Sequence, residues 1–304
     1  MSDVPARISL REVGPRDGLQ NEDPVPTAAK IELINSLAQT GVSRIEAVSF
    51  VRAEAIPQMA DADQVWQGIT RPDSVRFSAL TPNLRGARRA LGAGVTELEA
   101  VVSASDTHNR KNVNRSADES LDDIARIIDE AHQQGASCQV VVATSWGCPY
   151  EGDVPASRVL AVAGRAVADG ADSISFGDTT GMATPRRVTE LVAGFRSQHP
   201  DVPLNLHFHN TRGTGLANVL AALELGVDDF DASVGGLGGC PYAPGATGNI
   251  ATEELVHMVE DMGVATGVDL DAMIGAAAEA ERIVGRQLPS QVLRAGPRTR
   301  TIPA

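Results

Sequence analysis

Short runs of apolar, often β-branched residues alternate with helix-like stretches eight times along this chain, and no other feature restricts its fold as strongly. The runs are Ile8 to Val13, Arg44 to Phe50, Arg76 to Leu80, Glu97 to Ser103, Gln139 to Thr144, Ser173 to Gly177, Leu204 to His209 and Asp229 to Val234. Eight successive βα units close into a parallel barrel more readily than they lie in an open sheet, so the expected class is α/β, a (β/α)8 TIM barrel. A length of 304 residues suits one such domain. The barrel is expected over about residues 8–263, with an added helical element over about 269–288 and a flexible tail over 289–304.

The helices carry their own punctuation. Thr27 can cap the first, in which Ile31, Ile34, Leu37 and Ala38 form an apolar stripe before Gly41. Ser116 and Glu119 read as a capping box ahead of Leu121, Ile124 and Ile128. Thr184 followed by Pro185 gives an N-cap and a proline at the first helical position, before Val188, Leu191, Val192 and Phe195. After the eighth strand, a glycine-rich loop from Gly235 to Gly248 leads into a helix around Glu253 to Asp261.

The 26 basic and 39 acidic residues give a net charge of −13, which argues against nucleic acid and anionic membranes as partners. No run approaches the length needed to span a bilayer, and the start lacks a signal-like apolar segment, so a cytoplasmic location is expected. The three cysteines, Cys138, Cys148 and Cys240, form no Cys-x-x-Cys pair, so neither a disulfide framework nor a structural zinc site is indicated.

The chemistry gathers where a barrel places it, at the carboxyl ends of the strands. His207 and His209 are two residues apart in an alternating run, a spacing that sends both imidazoles to one face of a strand. Asp17, at the exit of the first strand, is the best candidate for a carboxylate beside them. Two imidazoles and a carboxylate suit Mg²⁺ or Mn²⁺ if further oxygens complete an octahedron; zinc competes on ligand type alone. Arg16 can supply a fixed guanidinium to an enolate or carboxylate oxygen. Glu46 and Asp178 add acidic groups from the second and sixth strands. The glycine-rich loop can close over a substrate and bring Cys240 to the reaction. Arg110 and Lys111, after the fourth strand, are candidate phosphate contacts, although a solvated charge run reads equally well.

Taken together, Glu12 to Glu22 (EVGPRDGLQNE), Ile45 to Phe50 (IEAVSF), Pro57 to Met59, Leu80 to Leu84 (LTPNL), Gly147 to Gly152 (GCPYEG), Gly177 to Thr179, the His-x-His strand and Gly235 to Asn249 resemble the 3-hydroxy-3-methylglutaryl-CoA lyase family. The resemblance runs from about residue 8 to residue 288, and the GGCPYA-x-GA-x-GN loop is its most characteristic part. It implies cleavage of an acyl-CoA thioester to acetyl-CoA and acetoacetate, assisted by Mg²⁺ or Mn²⁺, in a leucine-degradation setting. It also implies metal ligation by Asp17, His207, His209 and Asn249, enolate stabilisation by Arg16, proton transfer involving Cys240, an acid/base network shaped by Glu46 and Asp178, and a homodimer. Two positions depart from the family pattern. Asn210-Thr211-Arg212-Gly213 stands where Asp-Thr-Tyr-Gly is familiar, and Trp146 precedes GCPYEG. Arg212 suggests a second carboxylate or a different acyl chain, which keeps citramalyl-CoA or a longer-chain 3-hydroxyglutaryl-CoA open as substrate. A Claisen-type synthase and a non-catalytic metal-binding barrel are the remaining alternatives.

Overall fold

The computed structural model describes residues 4–239 and 247–301. Its strands β1 (Ser9–Glu12), β2 (Arg44–Ser49), β3 (Arg76–Leu80), β4 (Glu97–Ser103), β5 (Ser137–Ala143), β6 (Ser173–Gly177), β7 (Leu204–His207) and β8 (Asp229–Ala232) form a closed barrel in sequence order. Every neighbouring pair is parallel, and β1 closes on β8 with Leu10 opposite Phe230. The β2–β3 register slips between Glu46 and Val48, a bulge beside a charged residue that points into the barrel.

Strand residues alternate in chemistry because the two faces of the barrel wall differ. Leu10, Ile45, Phe77, Leu98, Val140, Ile174, Leu206 and Phe230 are buried in the apolar core. Their neighbours Arg11, Glu46, Ser78, Glu99, Ser175, Asn205 and Asp231 are buried as well, and they are polar. Arg11 on β1 reaches Glu99 on β4 at 2.7 Å, a contact that only crosses the barrel lumen. Hence the apolar side of each strand packs outward and the polar side fills the barrel.

The shell is built from α1 (Thr27–Leu37), α2 (Ala62–Gly68), α3 (Leu84–Gly92), α4 (Asp106–Val113), α5 (Ala117–Gln133), α6 (Ala156–Ala168), α7 (Pro185–Gln198), α8 (Gly215–Leu223) and α9 (Thr252–Asp261). The capping box of Ser116 and Glu119 forms at the start of α5 as expected. Thr27 does not cap α1: it is the first helical residue, and its hydroxyl donates instead to Asp61 at 2.7 Å. Thr184 occupies the N-cap of α7 without a side-chain bond, leaving Pro185 to set the helical φ.

Beyond the barrel, Asp269 caps α10 (Leu270–Val284), which ends at Gly285 with φ +70. Part of the tail departs from the expectation of a flexible segment. Ser290 caps a short α11 (Gln291–Ala295), Val292 is buried, and the chain around it is tied by ion pairs from Arg294 to Glu281 and from Arg298 to Asp261. Apolar residues Leu288 and Val292 supply an anchor that the prolines and arginines around them obscure in the sequence. Among the described residues, no helix is long and apolar enough to cross a membrane.

Candidate active site

At the end of β1 the backbone winds a π-helical turn over Gly14–Gly18, with the Val13 carbonyl accepting from the amides of Arg16, Asp17 and Gly18. The turn is held from below by Glu12, whose buried carboxylate accepts from Gly14 N and Val234 N at 2.8 Å each and from Thr252 Oγ1 at 2.6 Å. A side chain on Gly14 would meet that carboxylate at 2.7 Å, so the tight approach requires glycine. The turn thereby fixes Arg16 and Asp17 at the rim.

Arg16 binds two carboxylates at once, Asp17 at 2.7 Å and Glu46 at 2.6 Å. Its Nε is buried without a hydrogen-bond partner among the described residues, which leaves one directed donor. Burial pushes the Glu46 carboxyl well above the ordinary range, with the Arg16 charge opposing and the charge of Glu99 adding to the rise. Burial raises Asp17 also, but the charges of Arg16, His207 and His209 outweigh it and hold that carboxyl at about 2. Asp17 is therefore anionic across the physiological range.

Asp17, His207 and His209 each direct a donor atom to a common point, with these atoms all within 4.8 Å of one another. His207 is the last residue of β7, while His209 lies just beyond the strand, in an antiparallel bridge to Asn249. The expected strand thus ends two residues early, yet the bridge keeps the second imidazole beside the first, with ring centroids 5.2 Å apart. Burial and the neighbouring His207 drive His209 down to about 3, so that ring is neutral and able to donate a lone pair. Burial lowers His207 too, but the hydrogen bond to Asp231 and the charge of Asp17 reverse the direction.

Asn249 joins the same group. Its Nδ2 donates to Asp17 Oδ2 at 2.8 Å and to the Leu237 carbonyl at 3.2 Å, which fixes the amide orientation because both partners only accept. Its Oδ1 is then left buried with no partner among the described residues, as is His209 Nδ1. An unsatisfied buried acceptor costs about 1–3 kcal/mol, and a cation at this point would satisfy the amide oxygen. The donor set of two imidazoles, a carboxylate and an amide oxygen fits a divalent ion. Gly238, at φ +116, makes room for Asn249: a Cβ there would lie 3.0 Å from Nδ2.

Asp178 follows β6. Its Oδ1 accepts from the amides of Met182 at 2.7 Å and Ala183 at 3.0 Å, and its Oδ2 is buried and unpartnered among the described residues. Burial outweighs those bonds and lifts the carboxyl to about 6. Arg212, whose position raised the expectation of a second carboxylate, is exposed and makes no ion pair among the described residues. Its Nη1 donates to the carbonyls of Thr180 at 2.6 Å and Gly181 at 3.0 Å, bracing the loop that carries Asp178. Trp146 is likewise a packing residue: it is buried against Phe176 and Phe208, with its Nε1 donating to the Arg187 carbonyl at 3.2 Å.

Arg110 and Lys111 lie on α4. Arg110 pairs with Asp106 at 2.9 Å within its own helix, and the Lys111 ammonium sits 5.0 Å from the Tyr150 ring centroid. Cys240 lies outside the described residues, which resume at Thr247. The base of its loop is clasped, with Gly239 bridged to Thr247 and Gly248 O accepting from Asn210 N at 2.6 Å.

Sequence reasoning missed the charges beneath the rim. Asp231, Arg11, Glu99 and Asn205 form a buried hydrogen-bonded group under His207. Their signal was present as polar residues at alternate positions of β1, β4, β7 and β8, a pattern that also describes strands with one face in water.

The fold and site define a closed βα barrel with a candidate divalent-cation site of a carboxylate and two imidazoles at the carboxyl ends of its strands. The family model described as HMGL-like matches residues 7–279. The chain is 44% identical over 291 residues to the hydroxymethylglutaryl-CoA lyase YngG of Bacillus subtilis, covering 95% of this chain and 97% of that one. It is also 44% identical over 301 residues to (R)-citramalyl-CoA lyase of Chloroflexus aurantiacus, covering 95% of each. The solved structure of an HMG-CoA lyase from Acinetobacter baumannii, in complex with coenzyme A and 3-methylmalate, matches with a TM-score of 0.94 at 45% identity over 100% of both chains. This chain belongs to the HMGL-like family.

Proposed function

We propose that the protein is a carbon–carbon lyase that cleaves 3-hydroxy-3-methylglutaryl-CoA to acetyl-CoA and acetoacetate. The observation that carries this reading is the Asp17, His207 and His209 cluster set beside the Arg16 guanidinium, in a chain alike over nearly its full length to a hydroxymethylglutaryl-CoA lyase. Asp17, His207, His209 and Asn249 hold a divalent cation, Mg²⁺ or Mn²⁺. When bound, such an ion acts as a Lewis acid and lowers the cost of ionising a tertiary alcohol.

The bond changes then balance as follows: the 3-hydroxyl loses its proton and becomes the ketone of acetoacetate, while the bond between C2 and C3 breaks. Its electron pair passes to the thioester as an enolate, which takes up a proton at C2 to give acetyl-CoA. Arg16, clamped by Asp17 and Glu46 and with its Nε unpartnered, is placed to meet the negative charge on the thioester oxygen. Asp178, with a free Oδ2 and a carboxyl near 6, is suited to take the hydroxyl proton at neutral pH. Cys240 serves the proton transfer to the enolate. Arg110 and Lys111 meet the CoA phosphates; the exposed pair of Arg110 with Asp106 is worth at most about 1 kcal/mol and yields readily to a phosphate.

A second substrate is favoured by a specific observation, the equal identity to a citramalyl-CoA lyase. The test is product analysis with chelator-stripped protein and added Mn²⁺, offered each thioester in turn. Acetoacetate with acetyl-CoA from 3-hydroxy-3-methylglutaryl-CoA supports the main reading. Pyruvate from citramalyl-CoA, with no cleavage of the first thioester, replaces it with the second.

A further inference from the structure

The two imidazoles of the cluster are held very differently. His209 Nδ1 is buried without a hydrogen-bond partner among the described residues. His207 Nδ1 lies 3.2 Å from Asp231 Oδ2, and both side chains are almost wholly inside the barrel. Asp231 is itself clamped. Arg11 Nε donates to its Oδ1 at 2.9 Å and Arg11 Nη2 to its Oδ2 at 2.8 Å, a two-pronged pairing that fixes the plane of the carboxylate. Asn205 Nδ2 is the third donor to this carboxylate, reaching Oδ1 at 3.0 Å, and its orientation is set by Ser175 Oγ, which donates to Asn205 Oδ1 at 2.7 Å. Arg11 Nη1 continues to Glu99 Oε1 at 2.7 Å, where Ser78 Oγ also donates at 2.5 Å.

Each member of this group is thus placed by another, across strands β6, β7, β8, β1, β4 and β3. A carboxylate held by a guanidinium only accepts, so the ring nitrogen facing it must carry a hydrogen. The other nitrogen then keeps its lone pair.

We propose that Asp231, clamped by Arg11, is a positioning residue that holds His207 with Nδ1 protonated and presents Nε2 as its metal-facing atom. This rests on the metal reading above. His207 is thereby supplied to the cation with its tautomer and ring plane already set. In Asp231→Asn, Arg11 would claim the amide oxygen and turn the amide NH₂ toward His207, favouring the opposite tautomer, as replacing the orienting carboxylate does in hydrolase triads.

The test is binding of Mn²⁺ alone to chelator-stripped protein, followed by the electron paramagnetic resonance signal of free Mn²⁺. Loss of an orienting partner of this kind weakens metal binding by about 10–100-fold, and that is the shift expected for Asp231→Asn. Unchanged affinity in a folded variant overturns the proposal. A wild type that binds no Mn²⁺ overturns the metal reading and this inference with it. A second readout needs no folded variant at residue 231. In wild-type metal-free protein at about pH 9, long-range proton–nitrogen correlation should show His207 with hydrogen on Nδ1, the resonance being identified by its absence in His207→Gln. Hydrogen on Nε2 instead would overturn the proposal.

Discussion

The two faces of the barrel wall carry opposite chemistry. Outside, Leu10, Ile45, Leu206 and Phe230 meet the helices through apolar contact alone. Inside, Arg11, Glu99, Asn205 and Asp231 are just as buried but are joined by ion pairs and hydrogen bonds. The outer layer follows the general rule that burial of apolar area drives folding. An inner layer of buried charge is expensive and gives little net stability even when well paired. Its presence beneath the rim is therefore accounted for by function: through Asp231 it orients His207 rather than holding the barrel closed.

That division can be broken or sharpened by substitution. The largest effect is expected from His207→Ala, which should lower turnover by at least about 10³-fold, the equivalent of several kcal/mol of charge stabilisation. Thermal and urea unfolding should change little by comparison. Phe230→Ala, on the outer face of β8, should do the reverse. It is fully buried, so its loss should cost about 3–5 kcal/mol in urea unfolding while leaving Mn²⁺ affinity near the wild-type value. Equal damage to binding in this variant would mean that the two layers are not separable.

Asp178→Asn gives opposite signs in one molecule. Asn keeps an oxygen for the Met182 and Ala183 amides but cannot take up a proton. Because Asp178 titrates at about 6 when folded, against 3.8 ordinarily, the folded chain binds that proton more tightly. The stability gained is complete below about pH 4 and is lost as pH rises through 6, a total on the order of 2–3 kcal/mol. Removing the buried charge should therefore raise stability at pH 8 while lowering kcat. In the wild type, kcat/KM should fall as pH drops below about 6, and the variant should lack that limb. The smallest effect concerns Cys138, which is buried and pushed up to about 12 by desolvation first of all. It should stay unmodified by a thiol reagent in native protein at about pH 8 and react only on unfolding.

The outer layer was the legible part of the sequence. All eight strands are found within two residues of their expected bounds, because their apolar positions recur with period two and helix signals separate them. The rim was legible where identity and position sufficed: Asp17, His207 and His209 do converge. The inner layer was not. Whether Arg11 or Asp231 faces water or the lumen depends on barrel closure, and their contacts span most of the chain length. Arg212 shows the complementary difficulty. Its residue type suggested a ligand contact and gave no sign that its Nη1 braces backbone carbonyls of the neighbouring loop. Tertiary contacts of this kind leave no local trace.

The central claim is that the rim cluster binds a cation and that the cation-loaded site breaks the carbon–carbon bond. It is tested most directly by following Mn²⁺ binding and 3-hydroxy-3-methylglutaryl-CoA cleavage on one chelator-stripped sample. The account predicts acetyl-CoA formation that rises in proportion to bound Mn²⁺ and levels off at about one ion per chain, the capacity of a single closed donor set. Full cleavage before any Mn²⁺ is added, or saturation with Mn²⁺ without cleavage of this thioester, would contradict it.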